Sequence, residues 1–313
     1  METALVVKST GSWYDLILEN GERVKARMTG KFRLGAYKLT NPVAVGDKVD
    51  VLINGEEVSI KKVHSRKNYI VRQSPRKKHY LHLLASNIDQ AVLITTIVNP
   101  KLKQGFIDRF LLMTEPHNIP VIIIFNKSDL YSEEDLSIYE YLHDIYTDIG
   151  YKVRLCSAEN GTGIDQIAKD FKGKISLIAG QSGVGKSTIV NAVEPGLDIK
   201  TDELSDYSGK GQHTTTFAEM LTLSNGGRII DTPGLKTLSF NNLQVQDVAH
   251  NFREFFKESD QCKFYDCLHM NEPGCAVLKA IEEGKISELR HMNYMQIISE
   301  IEDQNRWELH KDM

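Results

Sequence analysis

ISLIAGQSGVGKSTIVNAV, residues 175–193, decides how the centre of this chain folds. A short apolar run reads as a buried strand, a glycine-rich stretch follows, and the run closes in residues able to wind as a helix. Gly180, Gly183 and Gly185 let the backbone turn tightly enough for successive N–H groups to converge on phosphate oxygens. Gln181, Ser182 and Val184 complete the loop, and the start of the helix adds positive potential. Lys186 is placed to reach the β- and γ-phosphates and Ser187 to hold Mg²⁺, with Thr188 beside them in the first helical turn. The pattern predicts a nucleotide-binding α/β domain.

Working outward, candidate strands at residues 91–98, 121–125, 153–156, 217–223 and 228–231 alternate with helical stretches, as in a parallel sheet covered by helices. The run VIIIF at 121–125 leads into Asn126, Lys127, Ser128 and Asp129, at the strand end where ligands bind in open α/β sheets. The Asp129 carboxylate can accept from both N1–H and the exocyclic amine of guanine, a pairing adenine does not offer. An ATPase reading survives only if Asp129 faces away from the base. Asn126 is expected to support the base and its loop, and the Lys127 stem to lie along the ring face. After the next strand, Ser157 and Ala158 are expected to offer backbone N–H groups to the guanine oxygen.

On the other side of the phosphate loop lie GQHTTT at 211–216 and DTPG at 231–234. Asp231 is expected to hold Mg²⁺ through water, the Gly234 N–H to sense the γ-phosphate, and Thr215 to close over the metal. Leu235 stands where many GTPases carry a water-orienting glutamine, so intrinsic turnover is expected to be slow. His213 is the candidate that orients water, with contact to a partner as its alternative role.

Ordinary GTPases run from phosphate loop through the switches to the guanine-reading motifs; here the guanine-reading motifs come first. The same sheet forms if the usual termini are joined through residues 160–174 and the chain is opened after DTPG, a circular permutation. The DTPG switch then runs straight into the C-terminal segment, whose placement is expected to follow the γ-phosphate state.

That segment shows helical periodicity around Cys262, Cys267, His269 and Cys275, three of the four cysteines of the chain. Four soft ligands at short spacing, with no acidic member, suit one closed, structural Zn²⁺ site; His291 is a more distant candidate ligand. At the other end, residues 5–8, 15–18, 23–27, 48–53 and 58–63 read as five short strands, with Asn20-Gly21 and Asn54-Gly55 as turns. An oligonucleotide-binding (OB) type of β-barrel fits that count. RQSPRKKHY, residues 72–80, reads as part of a basic linker.

The expected organisation is a barrel at 1–71, a linker at 72–88, a circularly permuted GTPase domain at 89–239 and a mainly helical zinc-binding domain at 240–313. The 313 residues carry a net charge of −4, but residues 1–80 hold 16 Lys/Arg against 8 Asp/Glu, a net +8 that suits a polyanion. No apolar run approaches bilayer length and no export signal is visible, which predicts a cytoplasmic protein without membrane contact.

With these motifs and the VGD turn at 45–47, the chain resembles the ribosome small-subunit-dependent GTPase A (RsgA) family of circularly permuted GTPases. The resemblance implies a late-acting assembly factor that binds the immature small ribosomal subunit and its rRNA and hydrolyses GTP to GDP on subunit stimulation; the chain is separately expected to be a monomer. Gln212 departs from the arginine usual in that family's Gly-Arg-His-Thr-Thr-Thr, so no arginine acts there. Two alternatives stand beside this reading: a permuted GTPase acting on another RNA or the large subunit, and a zinc-stabilised RNA-binding module whose nucleotide domain is only a sensor.

Overall fold

The computed structural model describes residues 1–10, 12–28, 41–73, 81–199, 218–231 and 243–309. The first strands, β1 (Glu2–Ser9), β2 (Trp13–Leu18), β3 (Arg23–Met28), β4 (Lys48–Asn54) and β5 (Glu57–Val63), pair in the order β1-β2-β3-β5-β4. A further β1–β4 pairing closes the barrel, with β3 and β5 parallel and the other neighbours antiparallel. Alternation drives this: Tyr14, Leu16, Val49, Val51 and Ile60 point into a dry core while the residues between them face outward. The turns at Gly21 and Gly55 have positive φ, 85° and 61°, as their Asn-Gly pairs predict.

The predicted linker is replaced in part by structure. Strands β6 (Tyr69–Gln73) and β7 (Leu81–Ser86) pair antiparallel as the arms of a hairpin, and the basic run at 74–80 between them lies outside the described residues. The arms are ordered by burial of Ile70, Leu83, Leu84 and Ala85 and by a tie to the barrel. Fully buried Asp47 makes that tie: it accepts from Arg66 Nε (2.7 Å), Ser86 Oγ (2.6 Å) and the Ala44 N–H (2.9 Å). The adjacent Gly46 has φ 95°, and a Cβ there would stand 2.0 Å from the Ser86 carbonyl oxygen, so the VGD turn tolerates only glycine at its centre.

The central domain contains β8 (Gln90–Thr95), β9 (Val121–Phe125), β10 (Lys152–Leu155), β11 (Ile175–Ala179), β12 (Glu219–Thr222) and β13 (Arg228–Asp231), in the order β10-β9-β8-β11-β13-β12. All are parallel except β12. Four helices cover the sheet: α1 (Phe106–Thr114), α2 (Glu133–Asp148), α3 (Ile164–Phe171) and α4 (Lys186–Val193). Leu93, Ile123 and Leu177 pack under Phe110 of α1 and Leu142 of α2; Ile94, Ile124 and Ile178 pack under Ile167 of α3 and Ile189 of α4. Burial on both faces is why these strands read as unbroken apolar runs. Pairing of β12 with β1, at Glu219 and Lys8, makes the barrel and this sheet continuous.

The C-terminal region holds α5 (Val245–Asn251), α6 (Arg253–Ser259), α7 (Ala276–Glu282) and α8 (Glu288–Leu309). Phe252, Phe255, Tyr294, Ile297 and Ile301 form its core, which Leu112 of α1 joins. Arg290 of α8 docks the region on the central domain: it donates to Asp108 on α1 (2.5 Å) and to Glu254 on α6 (2.6 Å), all three buried. Among the described residues, no helix is long and apolar enough to cross a membrane.

Candidate nucleotide and metal sites

Parallel pairing brings the expected motifs to one edge of the sheet. Phe125, the last residue of β9, is level with Thr95 of β8 and Leu155 of β10, and Asp231 of β13 is level with Ile178 of β11. The residues that follow these strands therefore leave together. The chain runs from β8 outward to β10 on one side and from β11 to β13 on the other, so the 180–187 loop sits at the topological switch point.

The loop is shaped by close approach. Gly180, Gly183 and Gly185 have φ 154°, 81° and 91°. A Cβ on Gly180 would lie 2.2 Å from the Ile94 carbonyl, and one on Gly185 would lie 2.4 Å from Asn126 Nδ2. Ser182 and Gly183 form the exposed apex, Gln181 and Thr188 are half-buried, and Val184 is fully buried beneath them. Lys186 is buried, with Nζ donating to the carbonyls of Gly180 (3.1 Å) and Gln181 (2.9 Å) across the mouth of the loop; Ser187, also buried, lies in the same helical turn. The arrangement directs a cation, a hydroxyl and a helix N-terminus at one place, the chemistry of a phosphate cradle.

Asn126 has a wider role than its motif suggests. Its buried side chain donates from Nδ2 to Val184 O (2.9 Å), while Oδ1 accepts from the Ala158 N–H (3.1 Å) and the Cys156 thiol (3.4 Å). The loops after β10 and β11 are thus fastened to one amide on the loop after β9. Burial, then the charge of Asp129, pushes the Cys156 thiol up to about 12, so it stays protonated and able to donate. The Asp129 carboxylate accepts from Ser157 Oγ, and Lys127, held at φ 64°, donates from Nζ to Asn99 O (2.8 Å). Ser128 donates its N–H to Cys156 O (3.1 Å).

The loop after β10 has its own hydrogen bonds. The N–H groups of Ser157 and Ala158, the candidates for the guanine oxygen, donate here to Thr162 O (3.0 Å) and to Asn126 Oδ1. Thr162 O lies in the same turn after β10, whereas Asn126 Oδ1 comes from the loop after β9. Ser157 contributes through its side chain, a role its short motif does not announce. Asp231 ends β13 beside the loop, but His213, Thr215, Gly234 and Leu235 lie outside the described residues.

The second site is compact. The ligand atoms of Cys262, Cys267, His269 and Cys275 all lie within 4.8 Å of one another and could hold a metal ion. His269 Nδ1 is 3.7 Å from Cys262 Sγ and 3.4 Å from Cys275 Sγ, and the two sulfurs are 4.0 Å apart. Tetrahedral bonds of about 2.3 Å to sulfur and about 2.1 Å to nitrogen give edges of roughly 3.6–3.8 Å, so the spacing fits. The N–H groups of Ala276 and Leu278 point at the Cys262 and Cys275 sulfurs, as suits thiolates. His291 is not part of the set: its Nε2 donates to the His269 carbonyl (2.8 Å) and orients that ligand from behind.

A glycine-rich loop with the chemistry of a phosphate cradle at the switch point, the NKSD sequence at the neighbouring strand end and the order of these motifs along the chain define a class: the circularly permuted P-loop GTPases. The family model described as RsgA GTPase matches residues 63–241, and that of the RsgA N-terminal domain matches residues 3–60. The chain belongs to the RsgA GTPase family. It is 47% identical over 313 residues to the small ribosomal subunit biogenesis GTPase RsgA of Flavobacterium johnsoniae, covering 98% of this chain and 96% of that one. With the protein of the same name from Bacteroides fragilis it shares 45% identity over 300 residues, 96% and 97% of the two chains. The crystal structure of YjeQ from Thermotoga maritima superposes with a TM-score of 0.79 at 34% identity, covering 96% and 98%. That of YloQ, described as a circularly permuted GTPase, gives 0.75 at 29% identity, covering 97% and 96%.

Proposed function

We propose that this protein is a cytoplasmic GTPase that binds the small ribosomal subunit during its late maturation and hydrolyses GTP to GDP when the subunit stimulates it. The observation that carries the reading is the fastening of the guanine-reading loop to the phosphate loop through Asn126, in a chain whose full-length relatives are named for small-subunit biogenesis. In this reading Asp129 reads guanine from a carboxylate steadied by Ser157, and Lys186 and the loop amides hold the phosphates. Ser187, Asp231 and Thr215 would hold Mg²⁺, which neutralises charge on the β- and γ-phosphate oxygens. Gly234 senses the γ-phosphate and His213 orients water, Leu235 being unable to. The barrel, with its net positive charge, holds rRNA.

The test is GTP turnover with and without purified small subunits across a salt series. Stimulation by small subunits that fades as salt rises is the expected result; a basal rate unmoved by small subunits, or raised by large ones instead, overturns the reading.

We assign zinc to the Cys/His cluster on its donor set, as a structural ion that ties the 262–275 loop to α7 and α8. Purified protein is expected to carry one zinc per chain. Stripping it with a strong chelator should melt helical signal from the C-terminal region while GTP affinity changes by less than about threefold, because among the described residues the cluster's hydrogen bonds stay within the C-terminal region. Metal-free protein with undiminished helicity would refute the structural role.

A further inference from the structure

Helix α2 turns a stripe of mixed acidic and apolar residues toward the C-terminal region. Tyr141, Asp144, Ile145 and Asp148 stand at i, i+3, i+4 and i+7, on one side of the helix, while Leu142 and Tyr146 on the adjoining stripe are buried in the core. Ile281 and Glu282 at the end of α7, with Ile286 and Glu288 at the turn into α8, line the same cleft, whose volume is about 520 Å³. Tyr141 is 54% exposed, Ile145 and Ile281 are half-buried, and Ile286 is buried. Asp148, Glu282 and Glu288 are exposed, and among the described residues none of them has an ion-pair partner. Asp144 touches His143 (3.0 Å) with its carboxylate still 77% exposed. Both cations of the cleft are taken: Arg290 by Asp108 and Glu254, and Lys285 by Glu283 (2.6 Å). Ser287 Oγ, in the same wall, is buried and has no hydrogen-bond partner among the described residues.

An open row of carboxylates around an apolar trough repels a nucleic acid, whose phosphates find no free cation among the described residues there, and attracts a cationic chain. The tyrosine ring and the isoleucines add a seat for an apolar side chain, the usual composition of an interface centre. We propose that the cleft between α2 and the α7–α8 turn docks an extended, Lys/Arg-rich segment of a partner protein. One aliphatic side chain of the segment sits against Tyr141, Ile145 and Ile281, and its cations meet Asp144, Asp148, Glu282 and Glu288. The segment bridges the helix that follows residues 126–129 and the C-terminal region, so its binding holds the two together beside the Arg290 cluster. Such a contact is with protein and is independent of rRNA binding by the barrel.

The probe is a short fluorescein-labelled peptide of repeating Lys-Leu-Arg, titrated into the full-length protein and followed by anisotropy. Saturable one-to-one binding is expected, with slowed hydrogen exchange in residues 141–149 and 281–290. Asp144→Lys with Asp148→Lys should weaken binding about tenfold or more, because two surface attractions become repulsions. Tyr141→Ala should weaken it about fivefold, as should serine in place of leucine in the peptide. Glu134→Lys with Glu140→Lys makes the same change of charge on α2 outside the cleft and should cost less than about threefold, since solvent and salt screen charges at a distance. GTP affinity, unchanged in each variant, shows that each is folded. Equal losses in the two charge-reversed pairs, protection confined to other residues, or an affinity indifferent to Tyr141 overturns the proposal. Protection of the cleft by a single-stranded oligouridylate and not by the peptide also overturns it, assigning the cleft to RNA. A dimer in light scattering that Asp144→Lys with Asp148→Lys dissociates overturns it in favour of a second copy of this chain.

Discussion

Lys186→Ala is expected to lower GTP turnover by about 10²–10³-fold, the cost of removing one preorganised charge from the place where a transferring phosphoryl group gathers negative charge. The side chain is buried at the mouth of the loop and its Nζ is held by the carbonyls of Gly180 and Gln181. Its position is set before nucleotide arrives, so little reorganisation is needed when phosphates replace those carbonyls. The alanine variant should retain the fold, because the loop is also held by Asn126 through Val184 and by the contact of Gly180 with β8. Guanine contacts through Asp129 should persist, so GDP binding weakens less than turnover. Single-turnover hydrolysis with saturating small subunits is the measurement, alongside circular dichroism. Turnover within threefold of the unaltered protein would remove Lys186 from the phosphate site.

Arg290→Met is expected to be the most destabilising single change outside the nucleotide site, at about 3–5 kcal/mol. Burial opposes the Arg290 charge, but Asp108 and Glu254 outweigh it and hold its pKa well above the usual arginine value. Asp108 also accepts from Tyr146 Oη (2.7 Å) and Asn293 Nδ2 (2.5 Å), and the guanidinium lies 4.2 Å from the Phe252 ring centroid. Removing the cation leaves two carboxylates buried without it. Urea unfolding should show a lower midpoint, and hydrogen exchange in residues 288–303 should accelerate before exchange in β8 to β11, since Arg290 holds α8 on α1. Arg109→Ala is the comparison: its partner Glu300 is 41% exposed, so its loss should cost under about 1 kcal/mol. Equal costs for the two variants would show that the docking is apolar rather than ionic.

That docking bears on how the nucleotide state reaches the C-terminal region. The order of motifs predicts that DTPG leads directly into the tail, and Asp231 does end the last strand before α5 begins at Val245. The tail is also fastened to α1, on the sheet face opposite α3 and α4. A γ-phosphate signal that moves it must therefore work against the Arg290 cluster.

The strands of the central sheet and the barrel were legible because their burial is periodic. VIIIF and ISLIA are buried on both faces and appear as strands over the same residues, and the alternation in β2 and β5 marks the barrel wall. The β6–β7 hairpin was not legible, because its order comes from Asp47, Arg66 and Val45, which lie elsewhere in the chain and fill hydrogen bonds that no local pattern displays. The guanine loop divides in the same way. NKSD and CSA could be found as words, but the direction of the Ala158 N–H and the grip of Ser157 on Asp129 depend on how the turn after β10 packs.

The amino-acid order was enough to name the candidates for cradling phosphate, reading guanine and binding a soft metal, and to show that the sheet is wound from a shifted start. Those properties belong to side-chain types and local spacing. Tertiary structure alone decided that one amide, Asn126, joins the three nucleotide loops, that a buried arginine clamps the helical tail to α1, and that α2 and the α7–α8 turn line one cleft. Each depends on directions and burial that arise only when segments distant in the chain are packed together.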